Sequence, residues 1–110
     1  MRKKNNYTDG VMGLYRKITE KNVRGMEDLE YLSKLAFDEK SIRQEDIEFA
    51  MQQDKKISLK LVTPDDGNMD TSRCVVIGNS IYGIIHIDRD KKKRELYFYL
   101  QEIRKIAQEN

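Results

Sequence analysis

Residues 73–102 read RCVVIGNSIYGIIHIDRDKKKRELYFYLQE, and this stretch decides the fold class. Segments 74–77 and 81–87 are rich in the β-branched and aromatic residues that favour strands. Gly78-Asn79 between them suits the positive φ angles of a tight hairpin turn. The first part of the stretch therefore predicts an antiparallel hairpin.

The end of the chain has two interpretations. The charged run 88–93 predicts a solvated turn, after which Leu-Tyr-Phe-Tyr-Leu-Gln at 96–101 alternates as on a half-buried strand. Apolar residues also recur there at helical spacing, so strand against helix stays open for 95–107. We favour the strand, since Tyr-Phe-Tyr is a poor helix start, with a short terminal helix over 103–110.

Two further strands are predicted upstream. Segment 10–19 predicts a first strand, because its glycines weaken the case for a helix. Segment 29–38 has apolar residues at alternate positions, which favours a long half-buried strand. A helix remains the rival over 29–40, where some apolar side chains also fit one helical face.

The middle of the chain predicts a helix and then a strand. Ser41-Ile42-Arg43-Gln44 has the Ser-x-x-Gln spacing of a capping box, so a short helix should follow as far as Gln53. Ile47, Ala50 and Met51 form its predicted apolar face. Segment 57–62 alternates as a strand and ends at the turn sequence Thr-Pro-Asp-Asp-Gly. The sequence thus predicts a mainly β fold, a small antiparallel β-barrel or sandwich of about six strands with one short helical insertion.

Composition predicts one small core. The chain has 110 residues, which suits a single domain over 1–110, with 1–9 and 106–110 as flexible tails. Its apolar fraction is 38% and its charged fraction is 36%, against about 45–50% and about 25% in an average domain. Such a chain buries little apolar surface, which suits a subunit stabilised by neighbours. A protein that binds nucleic acid mainly through its phosphates carries a large excess of positive charge, and the net charge of +2 is far below such an excess.

No motif indicates catalysis, a metal or a cofactor. His86 stands alone on an apolar strand, and Cys74 lies in a strand without a second cysteine. Asp65, Asp66 and Asp70 lack the spacing of a calcium loop and are explained by turn formation. We therefore expect no enzyme activity and no cofactor. No apolar run is long enough for a membrane span or signal peptide, so we expect a protein of the cytoplasmic side with no membrane partner.

Several segments, taken in order, carry a resemblance to a known family. They are SIRQEDIEFA at 41–50, Thr63-Pro64, RCVVIGNSIYGI at 73–84, and Arg94-Glu95-Leu96 with Leu100. Together they resemble the head-tail joining proteins of long-tailed bacteriophages, the head completion or stopper family, over roughly 29–105. The resemblance implies a β-barrel subunit of a dodecameric ring below the portal and adaptor, which closes the DNA channel and provides the docking surface for tail proteins. It also implies a virion protein that resides in the host cytoplasm during assembly.

The resemblance further implies that segment 41–56 is a channel loop, although it is more acidic and more helix-like than a simple plug requires. Its candidate residues are Ser41, Arg43, Gln44, Glu45, Asp46, Gln52, Gln53, Lys55 and Lys56. A basic turn, defined as Lys91, Lys92, Lys93 and Arg94, is the candidate contact with a polyanion such as packaged DNA, or with a partner protein.

A second function class stays open. Tyr97 and Tyr99 follow the basic turn, and aromatic rings beside cations are typical of surfaces that bind single-stranded nucleic acid. The alternative is therefore a small β-barrel nucleic-acid-binding module. Tyrosines on the wetter face of a strand explain the same pattern without nucleic acid.

Overall fold

The computed structural model describes residues 7–65, 67 and 69–106. Within them the chain forms six β-strands, one α-helix and a short 3-10 helix at Met26–Asp28. The strands and the α-helix are β1 (Gly10–Lys17), β2 (Leu29–Lys40), α1 (Gln44–Met51), β3 (Leu59–Pro64), β4 (Cys74–Ile77), β5 (Ser80–Asp90) and β6 (Glu95–Lys105). The mainly β fold with one short helical insertion is confirmed.

The six strands form a closed antiparallel barrel in the order β1-β2-β3-β6-β5-β4. Closure occurs where β1 pairs with β4, through Gly13 with Val76, Leu14 with Val75 and Tyr15 with Cys74. Because this pairing joins the two ends of the sheet, a barrel and not a sandwich is formed.

Alternation fills the barrel interior with large apolar side chains. The buried members of this core are Met12, Leu14, Phe37, Leu61, Val75, Leu96, Phe98 and Leu100. Leu96, Phe98 and Leu100 of β6 are each 0% exposed, so this strand contributes to the core at every second residue. Tyr97 and Tyr99 lie between them and face outwards.

A second apolar cluster lies outside the barrel wall. It consists of Val23, Leu29, Cys74 and Ile81, with Met26 and Ile106 among the partly buried residues packed against it. The segment between β1 and β2 folds over the outer side of β4 and β5, which gives these strands apolar contacts on both faces. Cys74 is buried here, as predicted, and burial raises the pKa of its thiol although Lys17 acts in the opposite direction.

Strand is confirmed over both segments where helix was the rival. β2 spans Leu29–Lys40, and β6 runs from Glu95 through Lys105. The terminal helix predicted from position 103 is wrong as far as Lys105, because β6 keeps pairing with β5 there, with Lys105 opposite Ser80. Residues 107–110 of that predicted helix lie outside the described residues.

The hairpin turn at Gly78-Asn79 is confirmed, and Gly78 adopts a φ of 57°. The next turn is shorter than predicted, since β5 continues to Asp90 and only Lys91–Arg94 remain outside the strands. Arg94 closes this turn with a φ of 55°.

Side chains do not alternate regularly between the two faces of β5. The register with β6 shifts between Ile84 and His86, so Ile85 is an additional residue on β5. Ile87 consequently packs against the barrel core with Ile84, while His86 lies outside it against Tyr99. Ile85 is half-buried and belongs to neither apolar cluster.

Part of the predicted amino-terminal tail is held against the barrel. The backbone N–H groups of Thr8 and Asp9 donate to Asp38 Oδ1 at 2.9 and 3.2 Å. The Tyr7 hydroxyl donates to Glu95 Oε2 at 2.7 Å. The rest of that tail, residues 1–6, lies outside the described residues.

Candidate functional site

The outer wall of the barrel carries a row of three polar side chains beside α1. Lys60 of β3 is opposite Tyr99 of β6, and Tyr99 is opposite His86 of β5. All three face outwards because their neighbours Leu61 and Phe98 point into the core. The row runs across three adjacent strands.

Helix α1 lies on this row, and we call the result the α1 contact. Asp46 Oδ2 is 3.0 Å from Lys60 Nζ, with side chains only 8% and 12% exposed. The Phe49 ring centroid lies 5.0 Å from that of His86 and 6.2 Å from that of Tyr99, both edge to face. Lys60 Nζ is also 5.2 Å from the Tyr99 ring centroid. The helix is thus fixed by one nearly buried ion pair and an aromatic cluster.

The electrostatics of the α1 contact favour the ionised Asp46. Burial opposes ionisation, but hydrogen bonds from the Arg43 backbone N–H and from Lys60, with the charges of both residues, hold the pKa of Asp46 below its usual value. Burial also raises the pKa of the Tyr99 phenol, against the opposing effect of Lys60. His86 packs between Phe49 and Tyr99 through ring contacts.

Two sequence predictions about α1 are wrong. The capping box at Ser41 does not form: the helix begins at Gln44, and Asp46 Oδ2 accepts the Arg43 N–H at 2.9 Å. The predicted apolar face also fails, because Met51 is 64% exposed whereas Asp46 is buried. The physical reason is the ion pair of Asp46 with Lys60 on β3, which holds the Asp46 carboxylate against the barrel wall.

The structure places the predicted channel-loop residues on an ordered helix and its flanks, against the outside of the barrel. Eight of the nine candidates are exposed: Ser41, Arg43, Gln44, Glu45, Gln52, Gln53, Lys55 and Lys56. The flank after the helix is tied to β6, because the Lys56 N–H donates to Gln101 Oε1 at 2.8 Å. An open groove of about 530 Å³ lies between this flank and β6, and exposed Met51 lines it. The segment therefore offers a polar outer surface.

The basic turn is a hydrogen-bonded tip with its cations in solvent. Lys91, Lys92, Lys93 and Arg94 are all exposed. The Arg94 carbonyl accepts the Asp65 N–H at 2.9 Å, and Asp90 Oδ1 accepts the Lys93 N–H at 3.1 Å. These hydrogen bonds hold the backbone of the turn while leaving its charged groups accessible.

The tyrosines of the alternative nucleic-acid surface are only partly available. The Tyr99 ring contacts Phe49, His86 and Lys60, so α1 covers part of the ring that a base would stack on. Tyr97 lies on the other side of Lys60, where both line a small cavity with Lys40, Ser41 and Arg43. We call this the basic cavity. It has a volume of about 230 Å³ and lies between the end of β2 and the start of α1.

The predicted turn carboxylates have local roles. Asp65 Oδ1 accepts the Gly67 N–H and Asp70 Oδ1 accepts the Ser72 N–H, both at 2.8 Å. Hydrogen bonds from Ser72 also hold the pKa of Asp70 below its usual value. Asp66 lies outside the described residues. Within residues 7–65, 67 and 69–106, no cluster of three or more His, Cys, Asp or Glu side chains is placed to hold a metal ion.

Sequence reasoning missed Phe49, Lys60 and the basic cavity. A usable signal was present for the helix, since Asp46, Phe49 and Ala50 lie three and four residues apart on one helical face. No comparable signal identified Lys60, which looked like an ordinary solvent-facing strand residue.

In the described part of the chain, no helix has the length and apolar character needed to cross a membrane.

Comparisons with known proteins do not assign the chain to a family. A scan against protein-family models finds no match, and a search of curated proteins finds none either.

Proposed function

We propose that this protein is a structural subunit of a phage or prophage head-tail connector, forming a ring below the portal and adaptor that closes the DNA channel and receives the tail. The observation that carries the proposal is how the resembling segments fall on the barrel. Segment 41–50 contains most of α1, Thr63-Pro64 ends β3, 73–84 spans the β4–β5 hairpin, and Leu96 and Leu100 are interior residues of β6. Each resembling segment thus coincides with a strand of the barrel or with the helix packed against its wall.

Exposed apolar side chains support assembly with neighbours. Val11 and Tyr31 are 57% and 55% exposed on the outer face of β1 and β2, and Ile18 is 58% exposed beyond the end of β1. Single exposed apolar side chains are common on monomers, and in a ring these positions would give a neighbouring subunit apolar surface to cover. A ring uses two different patches of each subunit, which suits apolar residues at separate points of the barrel.

The ordered α1 changes the expected form of channel closure. With Asp46 and Phe49 held on the barrel wall, a flexible plug built from 41–56 would first have to break the α1 contact. We propose instead that α1 stays docked and that its exposed polar side meets the channel or a neighbouring subunit. The basic turn is the proposed contact with packaged DNA or a tail protein.

Sedimentation velocity tests the proposal. We expect the pure chain to be monomeric or weakly associating, and to add as a ring only to the portal–adaptor complex encoded by the same genome. The double variant Val11→Ser with Tyr31→Ser should fail to add while keeping its fold, because both side chains are already exposed. The matched control is Lys91→Ser with Lys92→Ser, two exposed changes far from that face.

Two results would contradict the proposal. One is a wild-type chain that does not bind the portal–adaptor complex. The other is steeply salt-dependent binding of single-stranded DNA without addition to that complex, which would favour the nucleic-acid-binding module.

A further inference from the structure

Two lysines face each other across the β2–β3 pair beside α1. The register places Lys40 directly opposite Lys60, so both side chains leave the same face of the sheet. Like charges directly opposite on neighbouring strands repel and destabilise the pair. This position therefore has a surplus of positive charge unless an anion lies between or beside the two ammonium groups.

The charges inside the protein compensate only one of these lysines. Asp46 pairs with Lys60 at 3.0 Å, and in the described part of the chain Lys40 forms no ion pair. Arg43 adds a third cation, which lies 3.8 Å from Glu45 with both side chains about three-quarters exposed, and whose charge also acts on Asp46. Such a loose exposed pair is weak. Lys40 thus has no carboxylate partner and Arg43 is only loosely paired, so three cations face two carboxylates and one positive charge is in surplus.

These cations line a concave site with two hydroxyl groups. The basic cavity is formed by Lys40, Ser41, Arg43, Lys60 and Tyr97, and no carboxylate lies among these lining residues. Every polar side chain in it can donate a hydrogen bond, since ammonium and guanidinium groups only donate and hydroxyls can do so. An all-donor cavity with a surplus of positive charge is complementary to an oxyanion.

We propose that the basic cavity binds a phosphate group. Phosphate presents oxygens in several directions, which suits donors arriving from β2, β3, β6 and the start of α1, and Arg43 can bind two of those oxygens at once. The group comes either from free inorganic phosphate or from the backbone of a nucleic acid. The inference is independent of the proposed function, because the cavity belongs to a single chain.

Titration of the full chain with sodium phosphate tests the proposal, with sodium chloride at equal ionic strength as the reference. We expect saturable binding by calorimetry and backbone amide shifts in NMR spectra confined to residues around the cavity. Lys40→Gln and Arg43→Gln should each weaken phosphate binding about tenfold or more, because each removes a charged donor. Both side chains are exposed, so the variants should fold, and their amide spectra verify this.

Lys21→Gln is the matched control. It makes the same change of charge at an exposed lysine of the segment between β1 and β2, at the other end of β2 from Lys40, and should leave phosphate affinity within about twofold. The proposal is overturned if phosphate has no saturable effect beyond chloride, or if Lys21→Gln weakens binding as much as Lys40→Gln does.

A short DNA duplex distinguishes the two sources of phosphate. If Lys40→Gln and Arg43→Gln weaken duplex binding in parallel with phosphate binding, and free phosphate competes with the duplex, the cavity takes a backbone phosphate. If the same variants weaken phosphate binding but not duplex binding, the cavity takes free phosphate. Both results support the site.

Discussion

Ile81 and Ile85 provide a paired test of the β5 register. Both are isoleucines on the same strand, and uninterrupted alternation would put them on one face with similar burial. The structure separates them: Ile81 is 0% exposed in the outer cluster, whereas Ile85 is the additional residue at the bulge and only half-buried. The substitutions Ile81→Ala and Ile85→Ala should therefore differ in cost.

The expected difference follows from burial. Replacing isoleucine by alanine removes three carbon groups, each worth about 0.8 kcal/mol when fully buried. At Ile81 that transfer loss and the cavity left behind should lower the free energy of unfolding by about 2–5 kcal/mol. At Ile85, which is partly buried, most of the transfer loss but little cavity should remain, about 1.5–2 kcal/mol.

Urea unfolding followed by far-UV circular dichroism measures both changes. Equal slopes with urea concentration in the two variants and the wild type establish that the same structure unfolds in each. If Ile85→Ala costs as much as Ile81→Ala, the two residues share a buried environment. The bulge at Ile85, and the assignment of β5 side chains to the two faces, would then be wrong.

Other parts of the structure make further predictions. Replacing Lys91, Lys92 and Lys93 together by serine should change stability by no more than about 0.5 kcal/mol each in thermal melts, and a larger loss would mean that the basic turn is packed. Asp46→Asn should lower the free energy of unfolding by about 1–3 kcal/mol, because the nearly buried ammonium it contacts loses its partner; an unchanged urea midpoint would contradict this. Because folding lowers the pKa of Asp46, the stability that its ionised carboxylate contributes is fully present above the pKa of the unfolded state. That stability is lost as the pH falls through the pKa of the folded state. The stability difference between wild type and Asp46→Asn should therefore shrink below about pH 4, and a constant difference would contradict the ion pair. Backbone amides of α1 should exchange faster than those of β6, and α1 should exchange faster still in Asp46→Asn. Equal α1 exchange in the wild type and in Asp46→Asn would mean that the ion pair does not hold the helix.

Local patterns predicted most of the strands but not how they close. The alternation around Phe98 and the turn at Gly78-Asn79 are short-range signals, and the structure contains both features. Barrel closure depends on β1 pairing with β4, two segments about sixty residues apart, and no local pattern reports such a pairing. The sequence therefore left barrel and sandwich open.

The helix face and the bulge were mispredicted for similar reasons. Asp46 looked like a solvent-facing residue, because the partner that stabilises it inside, Lys60, lies on the next strand. Ile85 fits an alternating pattern, and only the pairing with β6 reveals it as an extra residue. The basic cavity depends on the register that brings Lys40 opposite Lys60, so it too becomes visible only after the strands are aligned.

Native mass spectrometry of the portal–adaptor complex mixed with this protein tests the proposed assembly. We expect a discrete species carrying a dodecameric complement of the chain, with no ring of the same size when the chain is measured alone. A complex that carries no added chain, or a stable closed ring formed without any partner, would contradict the proposed assembly.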